Sequence, residues 1–156
     1  LINLTVLDLV WNGLSDKIPS SIGNLTNLQM LSLGTNQLTG EIPLEIGNLT
    51  NLSWLSLRNN QLSGEIPSEI GTLTNLEFLQ LHYNELSGSI PSDLGNLINI
   101  QELGLSYNQL TGSIPQEICN HTSYPNVGDN KLCPPYPSCI SQEDIDSQDT
   151  SECSGD

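Results

Sequence analysis

The chain has 156 residues, and its 18 acidic residues against three basic ones give a formal charge of −15. Such a charge excludes the basic surfaces with which proteins bind nucleic acids or anionic membranes. No apolar run approaches the roughly 18 residues of a membrane-spanning helix, so we expect no membrane insertion in this segment and a preference for neutral or basic partners.

A 24-residue unit accounts for residues 1–120, where five copies follow one another without insertion or deletion. The unit is clearest at 25–48, which reads LTNLQMLSLGTNQLTGEIPLEIGN. Repeats of this length indicate a solenoid in which each unit buries its apolar face against its neighbours. The step from Leu55 to Leu57 has the period of two residues expected of a strand with one buried face.

An asparagine follows the predicted strand in every copy, at Asn12, Asn36, Asn60, Asn84 and Asn108. An inward amide at that place can satisfy the backbone groups of the turn that leaves the strand. We therefore predict a structural role for these asparagines.

The second half of each unit, L-[ST]-G-x-I-P-x-x-[IL]-G-N, predicts a short helical turn. The prolines at 19, 43, 67, 91 and 115 suit the first helical position, where a missing N–H has no partner to lose. The glycines at 23, 47, 71 and 95 suit the C′ position that ends a helix.

The L-[ST]-G-x-I-P segment resembles the signature of plant-type extracellular leucine-rich repeats, which occur in receptor-like proteins, receptor kinase ectodomains and polygalacturonase inhibitors. The resemblance covers 1–120 strongly. It implies an α/β solenoid shaped as a short horseshoe arc, with a concave parallel β-sheet and short 3-10 or helical turns on the convex side. Residues 121–156 would then form a disulfide-stapled C-terminal cap with an acidic tail.

All four cysteines, Cys119, Cys133, Cys139 and Cys153, lie in the last 38 residues. No C-x2-C pair is present, so the cysteines favour two disulfides over a zinc site and indicate an oxidising compartment. Three connectivities are open on the spacing. The resemblance to plant-type caps implies that Cys133 pairs with Cys139, and by the same analogy that Cys119 pairs with Cys153.

The segment after Cys139, ISQEDIDSQDTSECSGD, is acidic and almost free of large apolar residues. We expect it to lie along the cap or to be partly disordered, because it can bury little surface. Its aspartates lack the glycine and terminal glutamate of a calcium-binding EF-hand loop.

Five N-glycosylation sequons begin at Asn3, Asn24, Asn48, Asn51 and Asn120. They carry glycans only if the chain passes through a glycosylating secretory route, and the alternative is that they reflect the consensus composition of the turns. The asparagines at 24, 48 and 120 share the last repeat position, so sugar there would leave the strand face free.

The outward strand positions hold the candidate binding site. Stacking brings equivalent residues of successive repeats to about 4.8 Å. This surface carries Trp11, Met30, Trp54, Arg58, Phe78, His82, Tyr83 and Tyr107. Exposed aromatics beside an arginine are typical of a binding hot spot, although cross-strand packing alone also accommodates aromatics. Since His82 has no partners for a triad or a ligand set, we predict no catalysis, metal or cofactor.

Two further columns have structural explanations. Acidic residues occur two positions after the prolines, at Glu45, Glu69, Asp93 and Glu117. A carboxylate is stabilised at the positive end of a short helix, and we prefer this explanation to a calcium site. The hydroxyl column of Ser15, Thr39, Ser63, Ser87 and Thr111 is explained by hydroxyl pairs across neighbouring strands rather than by ice binding.

We therefore predict a non-enzymatic extracellular module that binds a protein, peptide or carbohydrate ligand through the concave face. The alternative is structural. A first repeat that starts at Leu1 without a cap would expose an apolar edge and free strand donors, through which copies of the chain could form an open, glycosylated filament, a homo-polymer.

Overall fold

The computed structural model describes residues 3–120 and 125–153. Within them, one set of parallel strands forms what we call the concave sheet, namely β1 (Val6–Asp8), β3 (Met30–Ser32), β5 (Trp54–Ser56), β7 (Phe78–Gln80) and β9 (Glu102–Gly104). A second set forms what we call the flank sheet, namely β2 (Ser15–Lys17), β4 (Gln37–Gly40), β6 (Gln61–Glu65), β8 (Glu85–Gly88), β10 (Gln109–Ser113) and β11 (Lys131–Cys133).

The convex side carries one 3-10 helix in each repeat, at Ser20–Asn24, Leu44–Asn48, Ser68–Thr72, Ser92–Asn96 and Gln116–Asn120. A short helix, α1 (Gln142–Asp146), follows in the cap. No helix among the described residues is long and apolar enough to cross a membrane. The predicted leucine-rich-repeat solenoid, with its concave parallel sheet and its capped C-terminal end, is confirmed.

The concave sheet keeps equivalent residues side by side. Trp54 is paired with Met30 on one side and with Phe78 on the other, in parallel register. The leucines that follow, such as Leu55 and Leu79, are fully buried. Burial of one such side chain contributes about 1.5–3 kcal/mol, so the leucine columns alone supply a continuous core behind the sheet.

The asparagine ladder has the predicted structural role. Asn60 accepts a hydrogen bond from the backbone N–H of Leu38 at 3.0 Å, and its amide donates to the carbonyls of Leu33 and Leu57 at 3.1 and 3.0 Å. Asn130 in the cap makes equivalent bonds with Leu110, Leu105 and Val127. The repeat geometry therefore continues beyond residue 120 in the described part of the chain.

The flank sheet was not predicted. Its glycines at 40, 64, 88 and 112 have φ between 72° and 78°, a region that favours glycine. The register is displaced by two residues per repeat, so that Thr39 lies opposite Gln61 and Ser63 opposite Glu85. The expected pairing of hydroxyl with hydroxyl is therefore wrong, because these hydroxyls face an amide, a carboxylate or, at Thr111, the side chain of Lys131.

The convex turns differ from expectation in two details. Prolines such as Pro43 and Pro67 are N-cap residues in extended conformation, one position before the predicted one. Gly71 lies inside its 3-10 helix rather than at its end, and a Cβ there would come within 2.7 Å of the Cβ of Asp93 in the next repeat. Close packing between successive helices, and not a C′ role, requires this glycine.

The disulfides join Cys119 to Cys139 and Cys133 to Cys153, each with Cα atoms 5.6 Å apart. The pairing implied by plant-type caps is therefore wrong. Ser113 is paired with Cys133 across the flank sheet, so an offset of 20 residues relates the last full repeat to the cap. Cys119 stands at the repeat position where earlier repeats have a glycine. The same offset of 20 residues brings Cys139 beside it.

The described part of the tail, up to Cys153, lies along the cap. The Ser141 hydroxyl accepts from the Asp144 N–H at 3.1 Å and caps α1. The side chain of Gln148 accepts from the backbone N–H of Leu132 and donates to the carbonyl of Val127, at 3.1 and 3.0 Å. The tail thus satisfies backbone groups at the end of the solenoid.

Candidate ligand-binding face

The sequence-predicted site residues lie in three columns on the solvent side of the concave sheet. Met30, Trp54 and Phe78 share the first strand position. Arg58 and His82 follow the strands, and a third column comprises Trp11, Tyr83 and Tyr107. Because the leucines between them point into the core, these side chains are directed away from it.

Two aromatic pairs form between neighbouring repeats. The rings of Trp54 and Phe78 have centroids 4.5 Å apart and planes inclined by 32°. The rings of Tyr83 and Tyr107 are stacked, with centroids 4.2 Å apart and an interplanar angle of 8°. His82 meets Tyr83 edge to face at 5.7 Å. The structure thus brings five of the eight predicted site residues into three ring contacts typical of aromatic pairs.

Trp11 stands apart from this cluster. Its side chain is 83% exposed, and it makes no ring contact with another described aromatic residue. The candidate site is therefore centred on the third to fifth repeats, and Trp11 lies at the opposite edge of the sheet, in the first repeat.

A backbone feature orients the tyrosine column. Trp11, Thr35, Asn59, Tyr83 and Tyr107 all have φ between 53° and 57°, the left-handed region that non-glycine residues occupy at a cost of about 1–2 kcal/mol. The N–H of Tyr83 still donates to the carbonyl of Ser106 in the next repeat at 3.1 Å. The inter-repeat hydrogen bonds therefore hold a strained bend that aims each side chain out of the sheet.

Side chains of neighbouring columns cover the residues between the two leucines. Ser56 and Gln80 are buried although they lie on the solvent side of the sheet. A Cβ on Gly34 would lie 3.2 Å from the Cγ of Arg58, so the stem of this arginine lies against the preceding strand while its residue remains exposed. Ser56 and Gln80 therefore lie beneath the aromatic and charged side chains of the face.

The face carries charges of both signs. Within the described residues, the only ion pair joins Lys131 to Glu152, so neither Arg58 nor Glu102 has an ionic partner there. Glu102 accepts a hydrogen bond from the Gln80 amide at 2.9 Å. Burial, and then the neighbouring Arg58, lowers the pKa of His82, while Glu102 opposes this shift. His82 is therefore mostly neutral at pH 7.

The last two repeats and Asn126 of the cap line an open cavity of about 350 Å³ on this face. Its lining includes His82, Tyr83, Glu102, Gly104 and Tyr107. Glu102 and Gly104 were not among the predicted site residues. The available signal was Gly104, a glycine in a column that elsewhere holds Asp8, Ser32, Ser56 and Gln80.

The sequon asparagines differ in their contacts. All five are exposed, but the Asn51 amide donates to the carbonyl of Thr26 at 2.9 Å. This bond recurs one repeat later between Asn75 and Thr50. In the last sequon, His121 and Thr122 lie outside the described residues. Glycosylation remains a prediction at each position.

No group of three or more His, Cys, Asp or Glu residues in the described part of the chain is arranged to hold a metal ion. The carboxylates of the convex column occupy the first turns of the 3-10 helices, as Glu45 and Glu69 do.

Comparisons with known proteins agree with this architecture. A family model described as a leucine-rich repeat region matches residues 1–123, and no curated protein sequence gave a significant match. The plant peptide hormone receptor RGFR1 in complex with RGF2 is 41% identical, with a TM-score of 0.80 over 85% of this chain and 22% of that one.

Two further solved structures are similar. The ectodomain of the receptor kinase GASSHO1/SCHENGEN3 from Arabidopsis thaliana, in complex with CASPARIAN STRIP INTEGRITY FACTOR 2, is 37% identical, with a TM-score of 0.84 over 88% of this chain and 17% of that one. A plant ice-binding protein is 37% identical, with a TM-score of 0.73 over 84% and 43%. The chain thus spans 22% and 17% of the two receptor structures.

Proposed function

Because this chain belongs to the plant-type extracellular leucine-rich-repeat family, we propose that it is a non-enzymatic extracellular recognition module that binds an extended peptide across its concave sheet. The Trp54–Phe78 pair at the centre of that sheet carries the proposal. The core does not need these rings, since Leu55 and Leu79 already fill it. Aromatic side chains in such a position serve as binding anchors.

A peptide fits the size of the face. Strands spaced by about 4.8 Å make a surface roughly 20 Å wide, which an extended segment of about six residues spans. Two of the similar structures are of receptors in complex with RGF2 and with CASPARIAN STRIP INTEGRITY FACTOR 2, and the first is named a peptide hormone receptor. These complexes support a peptide over a carbohydrate.

The rival functions have less support. An ice-binding surface requires a regular array, whereas Thr39 and Ser63 on the flank sheet face Gln61 and Glu85. For the filament, the exposed Val6 on β1 is compatible with self-association, and negative-stain electron microscopy of the purified chain at rising concentration would reveal regular fibres.

Selection of linear peptides tests the proposal. A phage-displayed library of random dodecapeptides is selected on the wild-type chain, and the enriched peptides are synthesised and titrated by calorimetry. The double variant Trp54→Ala/Phe78→Ala should bind them at least about 100-fold more weakly, because two central anchors are lost. Circular dichroism checks that the variant remains folded.

A matched control removes exposed apolar side chains elsewhere. Leu44 and Ile98 are 59% and 78% exposed and lie outside the concave sheet, so Leu44→Ala/Ile98→Ala should leave the affinity unchanged. Equal binding of the peptides to wild type and to the Trp54/Phe78 variant would refute the concave face as the binding site, and a library without enriched peptides would refute peptide recognition.

A further inference from the structure

The C-terminal end of the concave face forms an acidic trough. The cavity of about 350 Å³ beside Glu102 and Gly104 shares Ser106, Tyr107 and Asn126 with an adjoining cavity of about 340 Å³. The second cavity extends over the cap to Asp129, Glu143 and Asp144. Neither lining contains a lysine or an arginine, so the trough presents negative charge only.

Gly104 opens the first cavity. A Cβ at this position would lie 2.8 Å from Nδ1 of His82, which shows that the histidine ring leans over the glycine. The corresponding residue of the preceding strand, Gln80, fills its place with a side chain. The absence of a side chain at position 104 therefore leaves a notch, into which the His82 ring extends.

Glu102 supplies an uncompensated charge at the notch. The Gln80 amide orients one carboxylate oxygen, but a neutral donor leaves the negative charge in place. No described cation lies within salt-bridge distance of Glu102. Beside it, the stacked Tyr83 and Tyr107 rings provide aromatic surface of the kind on which a guanidinium stacks.

We propose that this trough is the specificity subsite for a basic side chain of the bound peptide, which inserts beside the His82 ring, between the Glu102 carboxylate and the Tyr83–Tyr107 stack. The inference rests on the proposed function. Arginine is the best match, because its planar cation both stacks on rings and binds a carboxylate in two-point geometry. The exposed Arg58 lies two strands away from Glu102 and repels a cation placed near it. The basic residue of the peptide therefore binds at the Glu102 end of the face, and this fixes the direction in which the peptide lies.

A thermodynamic cycle tests the subsite. The probes are peptides enriched on the wild-type chain from the displayed library, each synthesised with arginine and with its neutral isostere citrulline at the position that selection fixes as basic. Replacement by citrulline should weaken binding to wild type by about tenfold or more, as expected for loss of a hydrogen bond between charged groups. For Glu102→Gln the same replacement should change the affinity by less than about threefold.

Glu85→Gln is the matched control. It removes one negative charge on the flank sheet, at a position where other repeats have Gln37, Gln61 and Gln109. Its response to citrulline should equal that of wild type, which separates the subsite from the overall charge of the chain. A second variant, Gly104→Gln, introduces the side chain found at Gln80, which must displace the His82 ring, and it should abolish the preference for arginine.

The outcomes distinguish the subsite from the proposed function. If enriched peptides lack a conserved basic residue, or if citrulline weakens binding to Glu102→Gln as much as to wild type, while Trp54 and Phe78 are still required, the subsite is refuted and the concave-face function stands. If binding does not depend on Trp54 and Phe78, or if no peptide is enriched, both are refuted.

Discussion

Tyr83 and Tyr107 stack one repeat apart, with ring centroids separated by 4.2 Å. Both residues have a left-handed backbone, with φ of 57° and 53°, so the same strained bend in successive repeats produces the contact. A hydrogen bond to Tyr83 is the main reason why the pKa of Tyr107 is raised above its ordinary value, and the negative charge of Asp129 adds to the shift. The two tyrosines therefore interact through their hydroxyl groups as well as through their stacked rings.

The contact predicts that Tyr107 ionises at a higher pH than an ordinary tyrosine. The neutral phenol is favoured in the folded chain, so its stabilising contribution is present below pH 10 and is lost as the pH rises through the raised pKa. Absorbance at 295 nm should show a component that ionises above the ordinary tyrosine range. Burial also raises the pKa of Tyr136, so Tyr107→Phe should reduce this component by one tyrosine and leave the contribution of Tyr136. Asp129→Asn should move the contribution of Tyr107 to lower pH, and an unchanged midpoint would contradict the assigned role of Asp129.

The asparagine ladder predicts a large loss of stability at a central position. Asn84 accepts from the Leu62 N–H at 3.0 Å and donates to the carbonyls of Leu57 and Leu81 at 3.1 and 3.0 Å. Asn84→Ala leaves the Leu62 N–H without this partner, at about 1–3 kcal/mol. The carbonyls of Leu57 and Leu81 each lose one hydrogen bond but still accept from Asn60 and Asn108, so urea unfolding should show a loss of about 2 kcal/mol or more.

The control for the ladder is Asn99→Ala, whose amide makes an exposed bond to the carbonyl of Thr74 at 2.8 Å. Since water can replace that partner, its loss should cost less than about 1 kcal/mol. Equal losses in the two variants would show that the partly buried hydrogen bonds of the ladder stabilise the solenoid no more than an exposed one does.

The sequence predicted the features that depend on the 24-residue period. The alternation at Leu55 and Leu57 located the strands, and the period placed Trp54 beside Phe78. Equivalent residues in a stacked solenoid become neighbours whatever the details of each turn. This is why the aromatic face could be identified before the structure.

Features that depend on a departure from the period could not be predicted. The two-residue displacement of the flank sheet, which places Ser63 opposite Glu85, has no sequence signature. The cap is related to the last repeat by 20 residues, as the pairing of Ser113 with Cys133 shows. The cysteine pairing and the role of Gln148 at the end of the solenoid both depend on that offset, so neither could be predicted from the 24-residue period.

The disulfide pairing predicts which thiol a single cysteine substitution releases and how much stability the loss of each bond costs. Each bond closes a separation of 20 residues, for which chain entropy gives about 3 kcal/mol. Cys119→Ser should leave Cys139 as the reactive thiol, detected by alkylation and peptide mapping without reduction, while Cys133 stays bonded to Cys153. The double variants Cys119→Ser/Cys139→Ser and Cys133→Ser/Cys153→Ser should lose similar stability, and alkylation of Cys153 in Cys119→Ser would contradict the pairing.

Gly71 offers a test in which the sign of the effect decides between two explanations. If it only gave the chain flexibility, Gly71→Ala would stabilise the fold by about 0.4–1 kcal/mol through the unfolded state. The structure instead places the new Cβ 2.7 Å from that of Asp93, so overpacking should destabilise the chain by about 1–3 kcal/mol. Trimming the neighbour cannot relieve this contact, because the backbone of Asp93 is also too close. Ser92→Ala, at an exposed position of the next 3-10 helix, should stay within about 0.5 kcal/mol in the same urea titration, and a Gly71→Ala variant more stable than wild type would rule out close packing of the convex helices as the reason for this glycine.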